Sequence, residues 1–290
     1  MTDGPAPLDR RLHAVRPDLA DERLRERVSS ARFAAGVARQ VLGPSAPLRR
    51  NPRQDAVLDT EALAGEAVLV FDDQEGWSWV QLQTDGYVGY VPSDALGPAG
   101  PAPTHRVSAL RTFVFPGPDL KLPPISHFPM CAGITPLDGQ GEYVRLASGG
   151  WVFGGHLAPA DEHAPDFVAV AERLLGTPYL WGGKTSLGLD CSGLLQLSLA
   201  LAGMAAPRDT DLQRNALGTP VEIERDLSGL RRGDLVFWPG HVGIMRDGAT
   251  LLHANAHHMA VASEPLMDAE TRIRARSFGP IAAIRRLAPR

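Results

Sequence analysis

An apolar helix that starts at a cysteine constrains the fold of this chain more than any other feature. Residues 194–202 read LLQLSLALA and are apolar on nearly every side, which predicts a helix buried in a domain core. Cys191 lies where a glycine-rich loop gives way to this helix. The unpaired N–H groups of a helix N-terminus stabilise an anion, so the position predicts a lowered thiol pKa and a nucleophilic thiolate.

Two histidines downstream are candidates for a catalytic base and its orienting partner. His241 begins the run HVGIM and His253 lies in LLHA, and both runs are typical of strands joined by a hairpin. A two-residue loop at 247–248 would send the imidazoles to opposite faces, whereas a three-residue loop at 246–248 pairs His241 directly with His253. We expect the three-residue loop, because it sets both imidazoles side by side.

Short β-like runs between about residues 36 and 97 indicate a small barrel, and a Pro- and Gly-rich linker follows at 97–103. The pattern then repeats. WVQL at 79–82 is echoed by YVRL at 143–146, and GYV at 89–91 is echoed by GWV at 150–152. We therefore predict an arm at 1–35 containing a short polar helix at 18–28, barrels at 36–100 and 101–160, and the cysteine-bearing domain at 161–290.

Charge and composition exclude several classes of partner. Lys and Arg number 29 against 33 Asp and Glu, with no long basic run, so neither nucleic acid nor an anionic membrane is an expected partner. The first eleven residues are proline-rich and lack the apolar core of a secretory signal, which predicts a cytoplasmic protein. Cys131 and Cys191 are then expected as free thiols.

The motif at 178–183, PYLWGG, followed by DCSG at 190–193 and by HVGI at 241–244, resembles the NlpC/P60 family of papain-like cysteine peptidases. Both barrels resemble bacterial SH3-like domains. The resemblance implies an α+β fold, with a papain-like catalytic domain preceded by two small SH3-like β-barrels. With two such barrels and no export signal, the chain looks like the γ-D-glutamyl-L-diamino acid endopeptidases that recycle murein tripeptides and tetrapeptides bearing a free N-terminal L-Ala.

The same resemblance implies the catalytic roles. Cys191 is the nucleophile, His241 the base and His253 the residue that orients it, while the Tyr179 hydroxyl assists the Cys191 N–H as oxyanion donor. No cofactor is needed. Three residues near His253 are alternative orienters: Asn255, His257 and His258. A His-His pair is a feature of some metal sites, but no Cys or carboxylate cluster with ligand spacing accompanies this one, so no metal is expected.

Substrate binding in such a subgroup requires partners for an ammonium and for the D-glutamate carboxylate. Asp190 and Ser192 flank the nucleophile and suit these tasks, and Thr210 occupies the family's Ser/Thr position for the carboxylate. Tyr87 matches a first-barrel tyrosine that reaches the cleft, and Glu66 is a further candidate for the ammonium. The ordinary interpretations are a helix N-cap for Asp190, a barrel-core position for Tyr87 and a solvated face for Glu66.

Two other functions stay open at this point. A thiol acyltransferase or amidase acting on lipid or another amide would have a broad apolar groove instead of a closed, charged end. A non-catalytic module that binds wall fragments would leave the function to the barrels, and the intact set of Cys191, His241 and His253 argues against it.

Overall fold

The computed structural model describes residues 8–222 and 227–288. The N-terminal arm packs on the first barrel. Its short parallel strands are β1 (Ala20–Asp21) and β2 (Phe33–Ala34). The polar helix expected at 18–28 is reduced to one 3₁₀ turn, Glu22–Leu24. The Arg16 guanidinium lies 4.4 Å from the ring of Trp79, so cation–π contact holds the arm to the barrel.

The first barrel is one antiparallel seven-stranded sheet in the order β5-β4-β8-β7-β6-β3-β9. Its strands are β3 (Val37–Val41), β4 (Ser45–Arg49), β5 (Leu58–Leu63), β6 (Ala67–Gln74), β7 (Trp77–Leu82), β8 (Val88–Pro92) and β9 (Leu96–Pro98). Leu48, Val80 and Leu82 are fully buried in its core. A Cβ on Gly89 would lie 2.1 Å from the Leu48 side chain, so this close strand contact requires glycine.

The second β unit consists of three small sheets. Its strands are β10 (His105–Val107), β11 (Arg111–Val114), β12 (Ser126–Pro129), β13 (Gly133–Ile134), β14 (Pro136–Gln140), β15 (Tyr143–Leu146), β16 (Trp151–Phe153) and β17 (Leu157–Pro159). The sequence repeat is also a structural one. In each unit a strand pair is followed by a 3₁₀ turn, Ser93–Ala95 or Gly154–His156, and a short last strand.

The third unit packs helices on a six-stranded antiparallel sheet in the order β20-β25-β21-β22-β23-β24. Its helices are α1 (Phe167–Glu172), α2 (Cys191–Leu201), α3 (Thr210–Ala216) and α4 (Leu266–Arg276). Its strands are β18 (Lys184–Thr185), β19 (Gly188–Leu189), β20 (Thr219–Val221), β21 (Leu235–Trp238), β22 (His241–Met245), β23 (Thr250–Asn255), β24 (Ala260–Pro265) and β25 (Ala283–Arg286). As expected, α2 is buried along almost its whole length. Within the described ranges no helix has the length and apolarity to cross a bilayer.

The hairpin carrying the two histidines has a different register from the expected one. Ile244 pairs with Leu252, and the Arg246 N–H donates to the Thr250 carbonyl at 2.8 Å, so the loop is 247–249. The prediction that His241 pairs directly with His253 is therefore wrong by two residues. Asp247 Oδ1 causes the shift by accepting from two backbone N–H groups of the turn. A shift of two preserves side-chain alternation, so both imidazoles still share one face.

Candidate active site

Cys191 is the first residue of α2, and Asp190 caps the helix by accepting from the Gly193 N–H at 2.7 Å. The thiol is buried, with 8% of the residue exposed. Burial, reinforced by the Asp190 carboxylate, raises the pKa of Cys191 to about 12. Hydrogen bonds from the backbones of Val242 and Ser192 oppose this change without reversing it. The predicted lowering of the thiol pKa is therefore wrong, because desolvation outweighs the helix terminus.

The base lies on the strand that faces this helix. The Val242 backbone contacts the thiol, which puts the sulfur beside His241, the preceding residue of β22. The His241 ring stacks on Phe278 with 5.6 Å between centroids and an interplanar angle of 4°. Burial lowers the pKa of His241 to about 3, and the neighbouring His253 adds to the effect. A neutral thiol and a neutral imidazole therefore form the resting pair.

A hydrogen-bonded series behind His241 fixes its tautomer. His241 Nε2 lies 2.8 Å from His253 Nδ1, and His253 Nε2 lies 2.7 Å from Glu264 Oε1. Burial alone would raise the pKa of Glu264, but hydrogen bonds from His253 and Arg272 hold it below its usual range. The carboxylate accepts from His253 Nε2–H, so His253 Nδ1 accepts from His241 Nε2–H. His241 Nδ1 is left with a lone pair that can take the thiol proton.

Within the described ranges, the alternative orienters make no hydrogen bond to His241. The Asn255 side chain instead bonds His258 and the backbone carbonyl of His253. Contrary to the sequence argument, a carboxylate does lie near the His-His pair: ligand atoms of His253, His258 and Glu264 lie within 4.8 Å of one another. Glu264 also accepts two hydrogen bonds from Arg272. The hydrogen-bonded series behind His241 therefore explains this arrangement without a metal.

Two cavities meet at the thiol. An apolar cavity of about 330 Å³ contains His241 and Phe278, and a charged cavity of about 220 Å³ lies on the other side. The residues that line both are Tyr179, Trp181, Cys191 and Gly240. Burial raises the pKa of Tyr179, so its hydroxyl keeps its proton at neutral pH. That hydroxyl makes no hydrogen bond to the described residues and is free to donate to a bound group.

The charged cavity is built from three parts of the chain. From the first barrel, Tyr87 donates its hydroxyl to Asp209 Oδ2 at 3.0 Å, and Arg50 pairs with Asp59 at 2.8 Å. From the arm, Arg11 reaches Asp209 Oδ2 at 2.7 Å. Burial raises the pKa of Asp209, although the bonds from Arg11 and Tyr87 oppose the rise. The catalytic domain alone therefore cannot form this cavity.

Comparisons with known proteins agree with this architecture. Residues 176–272 match the NlpC/P60 family, and residues 48–96 match the family described as bacterial dipeptidyl-peptidase Sh3 domain. The chain therefore carries an NlpC/P60 domain behind a bacterial SH3 domain. A crystal structure of an NlpC/P60 family protein from Bacillus cereus ATCC 10987 superposes with a TM-score of 0.71 at 19% identity, covering 87% of this chain and all of that one. This similarity confirms the expected fold.

Two curated relatives share parts of the chain. A gamma-D-glutamyl-L-lysine dipeptidyl-peptidase of Bacillus subtilis is 27% identical over 222 residues, which are 69% of this chain and 73% of that protein. Dipeptidyl-peptidase 6 of Lysinibacillus sphaericus is 38% identical over 97 residues, which are 33% of this chain. The match spans about a third (34%) of that second relative's length.

Asp190 and Ser192 of the NlpC/P60 domain line the charged cavity, but their polar atoms are engaged internally. Arg208, 1% exposed, donates to both Asp190 oxygens at 2.9 and 2.7 Å and to Ser192 Oγ at 2.7 Å. Its Nε donates to Thr60 Oγ1 of the first barrel at 2.8 Å. The capping role of Asp190 is therefore evident, and direct substrate contact by either residue remains a prediction.

Of the remaining predicted site residues, one lies in the charged cavity and one lies elsewhere. Thr210, the first residue of α3, lines the charged cavity beside Asp209. The Glu66 prediction is wrong: its carboxylate bonds Lys184 Nζ at 3.2 Å and lines a separate cavity. Glu66 precedes β6 in a turn of the barrel that docks away from the thiol. Cys131 lines that separate cavity too, and both cysteines are free thiols as expected.

Sequence reasoning missed several residues of the NlpC/P60 site. Asp209 adjoins Thr210 in a motif already singled out, so a charged neighbour was available as a signal. Glu264 lies on β24, where Ala262 pairs with His253, and alternation puts residue 264 on the same face. Recognition of that strand would have found it. Arg11 and Arg208 carried no sequence signal.

Proposed function

We propose that this protein is a cysteine peptidase that hydrolyses the γ-D-glutamyl-L-diamino acid bond of murein tripeptides and tetrapeptides with a free N-terminal L-Ala. The observation that carries the proposal is the charged cavity, lined by residues of the barrel and the arm, immediately beside the Cys191 thiol. A cavity of about 220 Å³ suits a dipeptide-sized group.

The charge of this cavity favours an ammonium group. Its four carboxylates belong to Asp59, Asp190, Asp209 and Asp211. Three guanidinium groups lie in or directly behind its wall, those of Arg11, Arg50 and Arg208. Asp9, which pairs with Arg11 at 2.7 Å, adds a fifth carboxylate behind the wall, so negative charge exceeds positive charge and a substrate ammonium would reduce the excess. An uncompensated charge in a partly buried site is costly, so a charged amine is preferred over an acylated one.

The ammonium has specific acceptors available. Asp209 Oδ1 and Asp59 Oδ2 make no hydrogen bond to the described residues, since Arg11 and Arg50 engage the other oxygen of each carboxylate. The Tyr87 hydroxyl donates to Asp209 and keeps lone pairs that can accept from the ammonium. Asp209 therefore takes the role that the sequence suggested for Glu66. The Thr210 hydroxyl remains the candidate donor to the D-glutamate α-carboxylate.

The mechanism follows from the protonation states. His241 Nδ1 removes the thiol proton as the Cys191 sulfur attacks the γ-carbonyl carbon, because the resting thiol is not ionised. The Cys191 N–H and the Tyr179 hydroxyl stabilise the oxyanion. His241 then protonates the departing amine, and the C–N bond breaks to leave a thioester. Water attacks the thioester with His241 as base, which releases the dipeptide and restores the thiol.

The competing acyltransferase function called for a broad apolar groove instead of a closed, charged end. The apolar cavity here is about 330 Å³ and lies on the side of His241, whereas the opposite side carries the charges. Selectivity for a free amine favours fragments over intact wall. A recycling role in the cytoplasm, downstream of hydrolases that release such fragments, is part of the proposal.

The experiment is hydrolysis of L-Ala-γ-D-Glu-diamino acid tripeptides, followed by mass spectrometry. We expect release of L-Ala-D-Glu and the free diamino acid without added metal or cofactor. Failure to release the dipeptide from any free-amine tripeptide, with the wild-type protein shown to be folded by circular dichroism, would refute the proposal. Transfer of the acyl group to an added amine in preference to water would indicate the acyltransferase instead.

A further inference from the structure

Among the described residues, one cation that lines the apolar cavity has no protein group that neutralises it. It is lined entirely by residues between 179 and 278, and no Asp or Glu belongs to its described lining. His241 and His253 are kept neutral because burial lowers both pKa values, and Arg272 is paired with Glu264. Arg276, the last residue of α4, is exposed and makes no hydrogen bond or ion pair with the described residues.

The departing half of the substrate belongs in this cavity if the proposed function holds, and the inference rests on it. The group that protonates the leaving amine must contact that amine. His241 is that group, and it lines the apolar cavity but not the charged one. The diamino acid therefore extends from the thiol towards α4, with the aromatic rings of Trp181 and Phe278 available to its methylene groups.

We propose that Arg276 selects a diamino acid whose side chain ends in a carboxylate beside its amine, as in 2,6-diaminopimelate, over lysine. A guanidinium binds a carboxylate through two parallel N–H donors, which a terminal ammonium cannot match. The lysine ammonium would instead approach an unneutralised cation in a cavity without a lining carboxylate. Both effects favour the diaminopimelate peptide.

A basic residue in the last turn of a helix also compensates the helix dipole. That effect concerns the stability of α4 and does not depend on which peptide is bound. The ratio of rates for two peptides therefore separates a substrate contact from a purely structural one.

The test measures kcat/KM for three tripeptides that share L-Ala-γ-D-Glu. They end in meso-diaminopimelate, in L-lysine, and in meso-diaminopimelate with its distal carboxyl amidated. Wild type is compared with Arg276→Gln, Arg276→Lys and the control Arg231→Gln. Arg231 is exposed and lies outside both cavities, so this control matches the change of charge.

We expect wild type to prefer the diaminopimelate peptide by about tenfold, and the amidated peptide to behave like the lysine peptide. Arg276→Gln should bring the ratio near unity, Arg276→Lys should retain part of it, and Arg231→Gln should leave it unchanged. Equal rates for all three peptides on wild type would overturn the inference while leaving the proposed function intact. An equal loss for all peptides in Arg276→Gln would also overturn it, since Arg276 would then contact the α-carboxylate that they share. If no peptide is cleaved, the proposed function fails and this inference with it.

Discussion

The two cavities beside the thiol differ in how they are built. The charged one needs Arg11 from the arm, Tyr87 from the first barrel and Asp209 from the catalytic domain, whereas every residue of the apolar one belongs to the catalytic domain. The base lies on the apolar side. The comparison indicates that the chemistry and the leaving-group site are intrinsic to the NlpC/P60 domain. Selection of the acyl half depends on the docking of other parts of the chain.

The largest effect tests the centre that both cavities share. Cys191→Ala should lower kcat/KM by about ten-thousandfold or more, because it removes the thiol that attacks the carbonyl in the proposed mechanism. Binding of the tripeptide, measured by calorimetry, and the thermal unfolding midpoint should change little. Loss of the fold in this variant would show that the cysteine is structural.

Acetylation of the substrate amine tests the charged cavity alone. The acetylated tripeptide loses the charge that pairs with Asp209, and we expect kcat/KM to fall by about a thousandfold. Asp209→Asn should narrow the gap between free and acetylated peptides, since it removes the carboxylate that distinguishes them. Equal rates for both peptides on wild type would show that the charged cavity does not select a free amine, and would favour a general endopeptidase.

A smaller loss of activity is expected from a substitution in the hydrogen-bonded series behind His241. His253→Asn should reduce kcat by about ten- to a hundredfold and keep measurable activity, because another hydrogen-bonding side chain can still orient His241. His241→Asn should leave no activity above that of Cys191→Ala, since a base cannot be replaced in this way. Equal losses in the two variants, measured at the same folded fraction, would contradict the assigned roles.

The smallest expected effect measures how much the first barrel contributes to binding of the substrate amine. Tyr87→Phe removes one hydrogen bond to Asp209, so KM for the free-amine peptide should rise about fivefold with kcat nearly unchanged. Tyr90→Phe is the matched control, because its hydroxyl bonds Arg16 on another face of the same barrel. A similar change in KM for both variants would mean that the barrel acts only through its overall packing.

Local features were predictable from the sequence, and features created by docking were not. The position of Cys191 follows from a motif and an apolar helix, and the common face of the two histidines follows from strand alternation. The register of their hairpin was wrong because the Asp247 side chain sets the loop. The predicted lowering of the Cys191 pKa was wrong because the direction of the shift depends on burial between a helix and a strand that are distant in sequence.

Glu66 illustrates the limit most clearly. Its charge and its place in the first barrel made it a reasonable ammonium ligand, but the orientation of the barrel turns it towards Lys184. The same orientation brings Asp59 and Tyr87 to the thiol. No pattern within the barrel sequence encodes which edge meets the catalytic domain, so the acyl-side site required the three-dimensional arrangement.

Arg208 gives the barrel a further importance. One guanidinium bonds the cap of the nucleophile helix through Asp190 and the barrel through Thr60, and all three residues are buried. Removing the barrel would expose this ion pair to water and leave Arg208 Nε–H without its Thr60 acceptor. The third unit therefore depends on the first barrel for the packing around its nucleophile helix. A fusion that transfers this domain to another protein must therefore include the first barrel, which supplies Thr60 as the partner of Arg208.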